Sequence, residues 1–263
     1  MIYRISGKDN KTAKSIKTLH RKSGRTAAGR FVAEGRRICE EAFLYAPDRI
    51  YCTVMSESFS AGDPEAVRRA ESVSGRVFIA SDSLFAAISD TDTPQGIMQV
   101  MEMDSQPFEV TDGVTHIAVL DGISEPGNMG TIVRTAEALG FDGLYLTRGC
   151  VDIYGSKTVR ATMGSLFRMK FKCGCTADDI AELGEKGFSL YATSPTGETA
   201  LENCTFGGRC AVIIGNEAHG VTDELLRMSD MRLRITMDGN AESLNAAAAA
   251  GIVMHWIKNR REG

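Results

Sequence analysis

The sequence predicts an α/β protein: a mainly parallel sheet flanked by helices, preceded by a smaller α/β domain. Three observations carry that reading. Short apolar runs bounded by glycine alternate with segments of helical period along most of the chain, as strands joined by helical crossovers do. The polar segment EMDSQPFEVTDG, residues 102–113, contains Pro and Gly and divides the alternation into two parts. The run CAVIIGNEAHG, residues 210–220, ends an apolar strand on Gly215 and continues with Asn216, Glu217 and His219. In an open α/β sheet, polar groups just beyond a strand's carboxyl end face the crevice where ligands bind.

Taken in order, residues 10–19 read as a basic helix, with Ala13, Ile16 and Leu19 on one side and Lys11, Lys14 and Lys17 on others. RKSGRTAAGR, residues 21–30, is rich in Gly and Arg and reads as mobile. Residues 31–33 form a short strand, and Glu34-Gly35 opens a helix through Tyr45 that Pro47 ends. Strands at 50–54 and 76–79 are separated by a helix starting near Pro64, a residue suited to a first helical turn. Asp82 caps a further helix to Ile88, and residues 97–101 are a strand. The polar segment that follows is the linker, at 104–113, between domains 1–103 and 114–263.

The second domain alternates more regularly. A strand over 115–120 ends at Asp121-Gly122, and the loop SEPGNMG leads into a helix over 131–139 that Gly140 terminates. A strand follows at 143–146. Residues 166–172 alternate Phe167, Met169 and Phe171 with Arg168, Lys170 and Lys172, the period of a strand with one wet face. A helix over 178–186 stops at Gly187, and a strand over 189–193 runs into SPTG. The strand at 211–214, a helix near 222–228, a strand at 232–235 and an Ala-rich helix over 244–260 complete the domain. The five alanines at 246–250 suit a helix packed closely on a strand or on a second subunit. Crossover connections of this kind are right-handed and give a mainly parallel sheet.

Composition narrows the function. The longest apolar run, 246–257, is too short to span a bilayer, and MIYRISGKDNKTAK lacks the apolar core of a signal peptide, so a cytoplasmic location is expected. The seven cysteines are scattered, odd in number and without a CxxC pair, and the four histidines do not cluster, so no metal is expected. The net charge is −4, unevenly spread. Residues 1–40 hold eleven Lys and Arg against three acidic residues, +8, which leaves −12 for the remaining 223. A basic arm on an acidic body attracts polyanions, nucleic acid first among them. The blander reading is a solvated helix face.

Three loops of the second domain place polar groups after strand ends. One is Asn128-Met129-Gly130, with Arg134 on the helix behind it, where a helix N-terminus offers free N–H groups. The second is GNEAHG, residues 215–220. The third is ITMDGNAESLN, residues 235–245, where Ser243 and Asn245 stand at the mouth of the last helix. Singly, each has a structural reading: Asn128 and Ser243 as helix caps, Arg134 as a surface ion-pair partner, Glu217 as a first-turn charge. Their recurrence in three loops favours a site. GxGxxG, GxxxxGK[ST], GxSxG and HExxH are all absent.

Together NMGTIVRTAEALG, VIIGNEAHGV and ITMDGNAESLNAAAAAGI resemble, in order, the three motifs of the SpoU (TrmH-type) RNA ribose methyltransferases. SKTVRATMGSLFR is similar to that family's central segment, and FVAEGRRICEEA and TPQGI resemble the ribosomal-protein-like substrate-binding domain of many members. The resemblance implies a C-terminal trefoil knot, a homodimer, and S-adenosylmethionine bound near Thr193, Gly215, Ile235, Met237 and Leu244. It implies catalytic positions at Asn128, Arg134, Glu217, Ser243 and Asn245, and an RNA substrate, ribosomal RNA before transfer RNA. Lys14, Lys17, Arg21, Arg25 and Arg30 of the basic arm are the expected RNA contacts. Thr236, where many relatives carry proline, is a departure expected to loosen the loop, and the alanines after Asn245 are another. The competing expectations are a non-catalytic RNA-binding protein and a methyltransferase of proteins or small molecules.

Overall fold

The computed structural model describes residues 1–7, 9–104, 106–241 and 243–259. Lys8 of the basic arm, Ser105 of the expected linker, Glu242 of the third loop and Arg260 at the expected end of the last helix lie outside these. The chain forms two compact units: Met1–Ser105 with Asp152–Arg168, and Gln106–Val151 with Met169–Gly263.

The first unit is built from β1 (Ile2–Ile5), α1 (Lys11–Leu19), α2 (Lys22–Ala28), β2 (Arg30–Glu34), α3 (Arg36–Tyr45), β3 (Ile50–Ser56), α4 (Glu57–Gly62), α5 (Pro64–Val73), β4 (Val77–Ala80), α6 (Asp82–Ile88) and β5 (Ile97–Glu102). Its five-stranded sheet runs β1-β4-β3-β5-β2, with β5 antiparallel to β3 and β2 and the other pairs parallel. Ala13, Ile16 and Leu19 are buried as their period predicts, packed with Leu84, Phe85, Ile88, Met98 and Val100. Asn10 caps α1 through Thr12 and Ala13 N–H groups.

The stretch expected to be mobile is α2. Gly24 lets it lie against α1, because a Cβ there would stand 2.0 Å from the Thr18 carbonyl oxygen. Gly29, at φ +62°, ends it. Arg25, expected among the RNA contacts, points inward and is only 5% exposed. Its guanidinium donates to the Leu19 and His20 carbonyls at 2.8 and 3.0 Å and to Asp152 at 2.5 Å. That satisfies the last carbonyls of α1 and neutralises the buried charge, so its donors are not left for phosphate. Lys14, Lys17 and Arg21 are exposed, whereas Arg30 is half-buried under an ion pair to Glu102 and stacked on Tyr51. Ser81, not Asp82, caps α6 by accepting from the Leu84 N–H. Strand β1, helix α4 and the two-residue strand described below carry no clear sequence period and were not expected.

The second unit contains β6 (His116–Asp121), α7 (Pro126–Ala138), β7 (Gly143–Thr147), β8 (Phe171–Cys175), α9 (Ala177–Glu185), β9 (Ser189–Thr193), β10 (Thr199–Ala200), β11 (Cys210–Gly215), α10 (Asp223–Met228), β12 (Met231–Arg234) and α11 (Ala246–Asn259); α8 (Ser156–Ala161) belongs with the first unit. Its seven strands are all parallel, in the order β10-β12-β9-β11-β6-β7-β8. The core includes Ile117, Val119, Ile180, Leu183, Leu190, Ala211 and Ile213. Phe108, inside the expected linker, is buried in it; a Cβ on Gly143 would meet its ring at 2.1 Å.

Residues 166–172 are not one strand. Gly164, at φ +95°, opens a 3₁₀ turn, Ser165–Phe167, and the strand starts only at Phe171. Leu166 and Phe167 are adjacent and both buried, which a half-wet strand does not allow. Helix α7 begins five residues earlier than expected, with Pro126 in its first turn. Ala246, Ala247 and Ala250 are buried where α11 packs on α7 and β11, and Gly251 lies against Thr135.

Candidate active site

Strand β11 lies at the centre of the sheet, between β9 and β6. The chain reaches β6 first, extends outward through β7 and β8, and returns to the other side for β9. The reversal of direction beside β11 makes its carboxyl end the topological switch point, the place where a crevice opens. Gly215 ends β11 there. A Cβ at that position would stand 2.1 Å from the carbonyl carbon of Gly220 and the nitrogen of Val221. The return of its own loop therefore already requires a glycine there.

The loop is held by Asn216. Its main chain exchanges two hydrogen bonds with Gly220, at 3.0 and 2.9 Å. Its Oδ1 accepts from the Ala218 and His219 N–H groups, an Asx turn, and its Nδ2 donates to the Gly122 carbonyl at 2.6 Å. The sequence offers Asn216 as one of the polar groups facing the crevice, whereas its side chain is spent on the turn itself; an Asn after a strand-ending glycine is a turn signal in its own right.

This turn presents Glu217 to the start of α7. Asn128 lies in the first turn of that helix, 9% exposed, and does not cap it. Asn245 does cap α11, accepting from Ala247 N–H at 2.9 Å and Ala248 N–H at 3.3 Å. With its Oδ1 so engaged, Asn245 donates through Nδ2 to Asn128 Oδ1 at 2.8 Å. Asn128 in turn donates through Nδ2 to Glu217 Oε1 at 2.8 Å. The three loops are thus joined in one directed chain, Asn245 to Asn128 to Glu217, whose polarity is set by the helix N–H groups at one end and a carboxylate at the other. Ser124 adds a hydroxyl and an N–H, both on Oε2. Burial pushes the Glu217 carboxyl up, but the donors from Asn128 and Ser124 outweigh it and hold it below the ordinary value.

Beside this chain is a cavity of about 280 Å³. Its walls include Thr193, Gly215, Ile235, Met237 and Leu244, the five positions expected around a cofactor, together with Leu233 and the 216–220 turn. Thr193 donates its hydroxyl to the Ile213 carbonyl at 3.0 Å, so it shapes the wall. Ser243, exposed, and Glu217 stand at the same cavity, as does His219. Thr236 bonds to the Glu202 carboxylate, which ties the third loop down where looseness was expected. Arg134 is not brought into this group. It is exposed on α7 and has no hydrogen bond or ion pair among the described residues.

Residues 115–255, more than half of the chain, match the model of the SpoU rRNA Methylase family. The chain belongs to that family. Residues 10–99 match the MRM3-like substrate binding domain. Among similar proteins, the 23S rRNA (guanosine(2553)-2′-O)-methyltransferase RlmP of Bacillus subtilis is 31% identical over 255 residues, spanning 97% of this chain and 98% of its own. The AdoMet-bound rRNA methyltransferase of Sinorhizobium meliloti superposes with a TM-score of 0.84 at 28% identity, covering 97% of both chains. The SpoU methyltransferase AviRb of Streptomyces viridochromogenes, in complex with AdoMet, gives 0.82 at 25% identity over 94% of this chain and 96% of its own. The SpoU match contains all ten expected catalytic and cofactor positions.

Proposed function

We propose that this protein methylates a ribose 2′-hydroxyl of RNA, with 23S ribosomal RNA as its substrate and S-adenosylmethionine as the methyl source, in the cytoplasm. One observation carries the reading: the hydrogen-bonded chain Asn245–Asn128–Glu217 borders a cavity lined by Thr193, Gly215, Ile235, Met237 and Leu244. That cavity is near the lower end of the range for small-molecule sites, about 300–1,000 Å³. Its apolar side chains and main-chain-rich turns suit a nucleoside-type cofactor. Relatives crystallised with AdoMet, and one named for a 23S rRNA ribose, support the assignment.

When bound, S-adenosylmethionine supplies a sulfonium methyl that is already electrophilic. The protein's own part is to hold the ribose and to favour its alkoxide; positioning alone is worth at most roughly 7–11 kcal/mol. In this reading Asn128, Ser243 and Asn245 orient the ribose and its phosphate, and Glu217 keeps Asn128 in place. Arg134 acts from the exposed side of α7. A guanidinium does not give up its proton near neutrality, so its role is to stabilise the developing 2′-alkoxide while the proton leaves to water or a phosphate. In a single-turnover assay the Arg134→Ala variant is expected to lose methyl transfer while retaining cofactor affinity by calorimetry. A near wild-type rate would remove Arg134 from the mechanism.

The segment after β12 closes into a knot and the chain dimerises through the knotted unit in this reading, with Ile252, 41% exposed on α11, on the pairing face. Methyl labelling of ribosomal RNA and of transfer RNA separates the substrates. Cofactor binding without labelling of either would point to a protein or small-molecule substrate, and RNA binding without cofactor binding to a non-catalytic role.

A further inference from the structure

The first unit contains a concavity of about 380 Å³ that the methyl-transfer chemistry does not use. Three segments form it: the start of α4, the start of α6, and the loop before β5. Phe59, Phe85, Ala86 and Pro94 make its apolar lining. Two polar side chains at its edge each keep one unused function. Asp82 accepts the Ser58 N–H and hydroxyl, both on Oδ1, at 3.1 and 2.8 Å, which leaves Oδ2 as an acceptor. These bonds hold its carboxyl below the ordinary range. Gln95 accepts the Arg36 N–H on Oε1 at 2.7 Å, and its Nε2 has no hydrogen-bond partner among the described residues.

The walls are fixed before any ligand arrives. Ser56 accepts from the Phe59 N–H at 3.1 Å and donates its own N–H to the Gly96 carbonyl at 2.8 Å. Gly96, at φ +81°, could not carry a side chain, because a Cβ would stand 2.7 Å from Phe59 Cβ and 2.9 Å from Ser56 Oγ. Glu34, 4% exposed, anchors the same loop by accepting from Ser89, Thr91 and the Asp90 N–H.

We propose that this concavity takes one unpaired base of the RNA, with the base against Phe59 and its Watson–Crick edge on Asp82 and Gln95. An apolar floor, one charged acceptor and one amide donor are the elements by which proteins hold splayed-out bases. The site rests on the reading of this protein as an RNA-acting enzyme and adds how the substrate is selected.

The test uses the full chain. GMP, AMP, CMP and UMP are titrated while backbone amide shifts are followed by nuclear magnetic resonance, and rRNA methylation is measured in parallel. At least one nucleotide is expected to shift Ser58, Phe59, Asp82, Gln95 and Gly96 together. Asp82→Asn keeps an oxygen for Ser58 but replaces the free acceptor with a donor; Phe59→Leu keeps apolar bulk but removes the ring. Each is expected to raise the KM for RNA by about tenfold with little change in kcat, assayed at a temperature well below the melting of either variant. If wild type methylates RNA but neither variant alters KM and no nucleotide shifts these amides, the base site is wrong while the enzyme reading stands. If wild type labels no RNA, the enzyme reading itself fails, and the amide shifts alone then decide whether a base binds.

Discussion

At the scale of single residues, the site depends on which end of each side chain points where. Asn245 serves α11 with its oxygen and Asn128 with its nitrogen. Asn245→Ala therefore removes a helix cap and leaves a buried carbonyl oxygen without its donor. The expected cost is about 1–3 kcal/mol in denaturant unfolding, with methyl transfer lost in the same protein. Glu217 yields a pH signature. Its folded carboxyl titrates below the ordinary value, so its contribution is present above the unfolded pKa, roughly 4.3, and is lost as pH falls through the lower folded value. Wild type is expected to unfold at higher denaturant than Glu217→Gln at neutral pH, the difference closing in acid; a constant difference across pH would mean the charge is not what Asn128 and Ser124 hold. Three of the network's members were visible in the sequence as polar residues after strand ends. Asn216 reads in the sequence as a group facing the crevice, but its side chain is spent inside the turn, and Arg25 was misplaced because its positive charge carries no sign of its burial.

At the scale of elements, periodicity served well where one face is wet and failed where both neighbours are buried. Helices α1, α5 and α9 show their apolar stripe in the sequence. Residues 166–172 mimicked a strand because charged residues alternate there, although Leu166 and Phe167 are buried side by side. Helix α2 has little apolar period, and a buried ion pair fixes it. Asp152→Asn leaves the Arg25 guanidinium buried without its counter-charge, and the expected destabilisation is about 3–5 kcal/mol, read as a shift in denaturant midpoint. The N-terminus of α9 makes a similar point at its surface. Thr176 and Asp179 form a capping box, and Lys172 donates to Asp179 at 2.5 Å. The Lys172 hydrogen bond, with those from Thr176, lowers the Asp179 carboxyl to about 2. Asp179→Asn is expected to cost about 1 kcal/mol at neutral pH and nothing once pH has fallen below that value, by thermal unfolding across the acid range.

At the scale of the whole molecule, the charge asymmetry between the first forty residues and the rest is a statement about partners. If the arm holds RNA through phosphates, log affinity for RNA falls linearly with log salt, and each lysine removed from Lys14 and Lys17 reduces the slope by about 0.7–0.9. A flat response in filter binding would separate the arm from the RNA. No helix among the described residues is long and apolar enough to cross a membrane. The sequence by itself determined the class of the fold, most of the strands and helices, the three loops whose polar residues meet at the candidate site and the family they resemble. Those features are written locally, in apolar period, glycine punctuation and short motifs. Only the tertiary structure decided that Asn245, Asn128 and Glu217 form a single hydrogen-bonded chain, across separations of 117 and 89 residues. It also decided that Arg25 faces inward, that Gly215 serves its own loop, and that residues 152–168 pack with the first unit. Contacts between residues far apart along the chain depend on how buried polar groups find partners, and no local pattern specifies which partner is met.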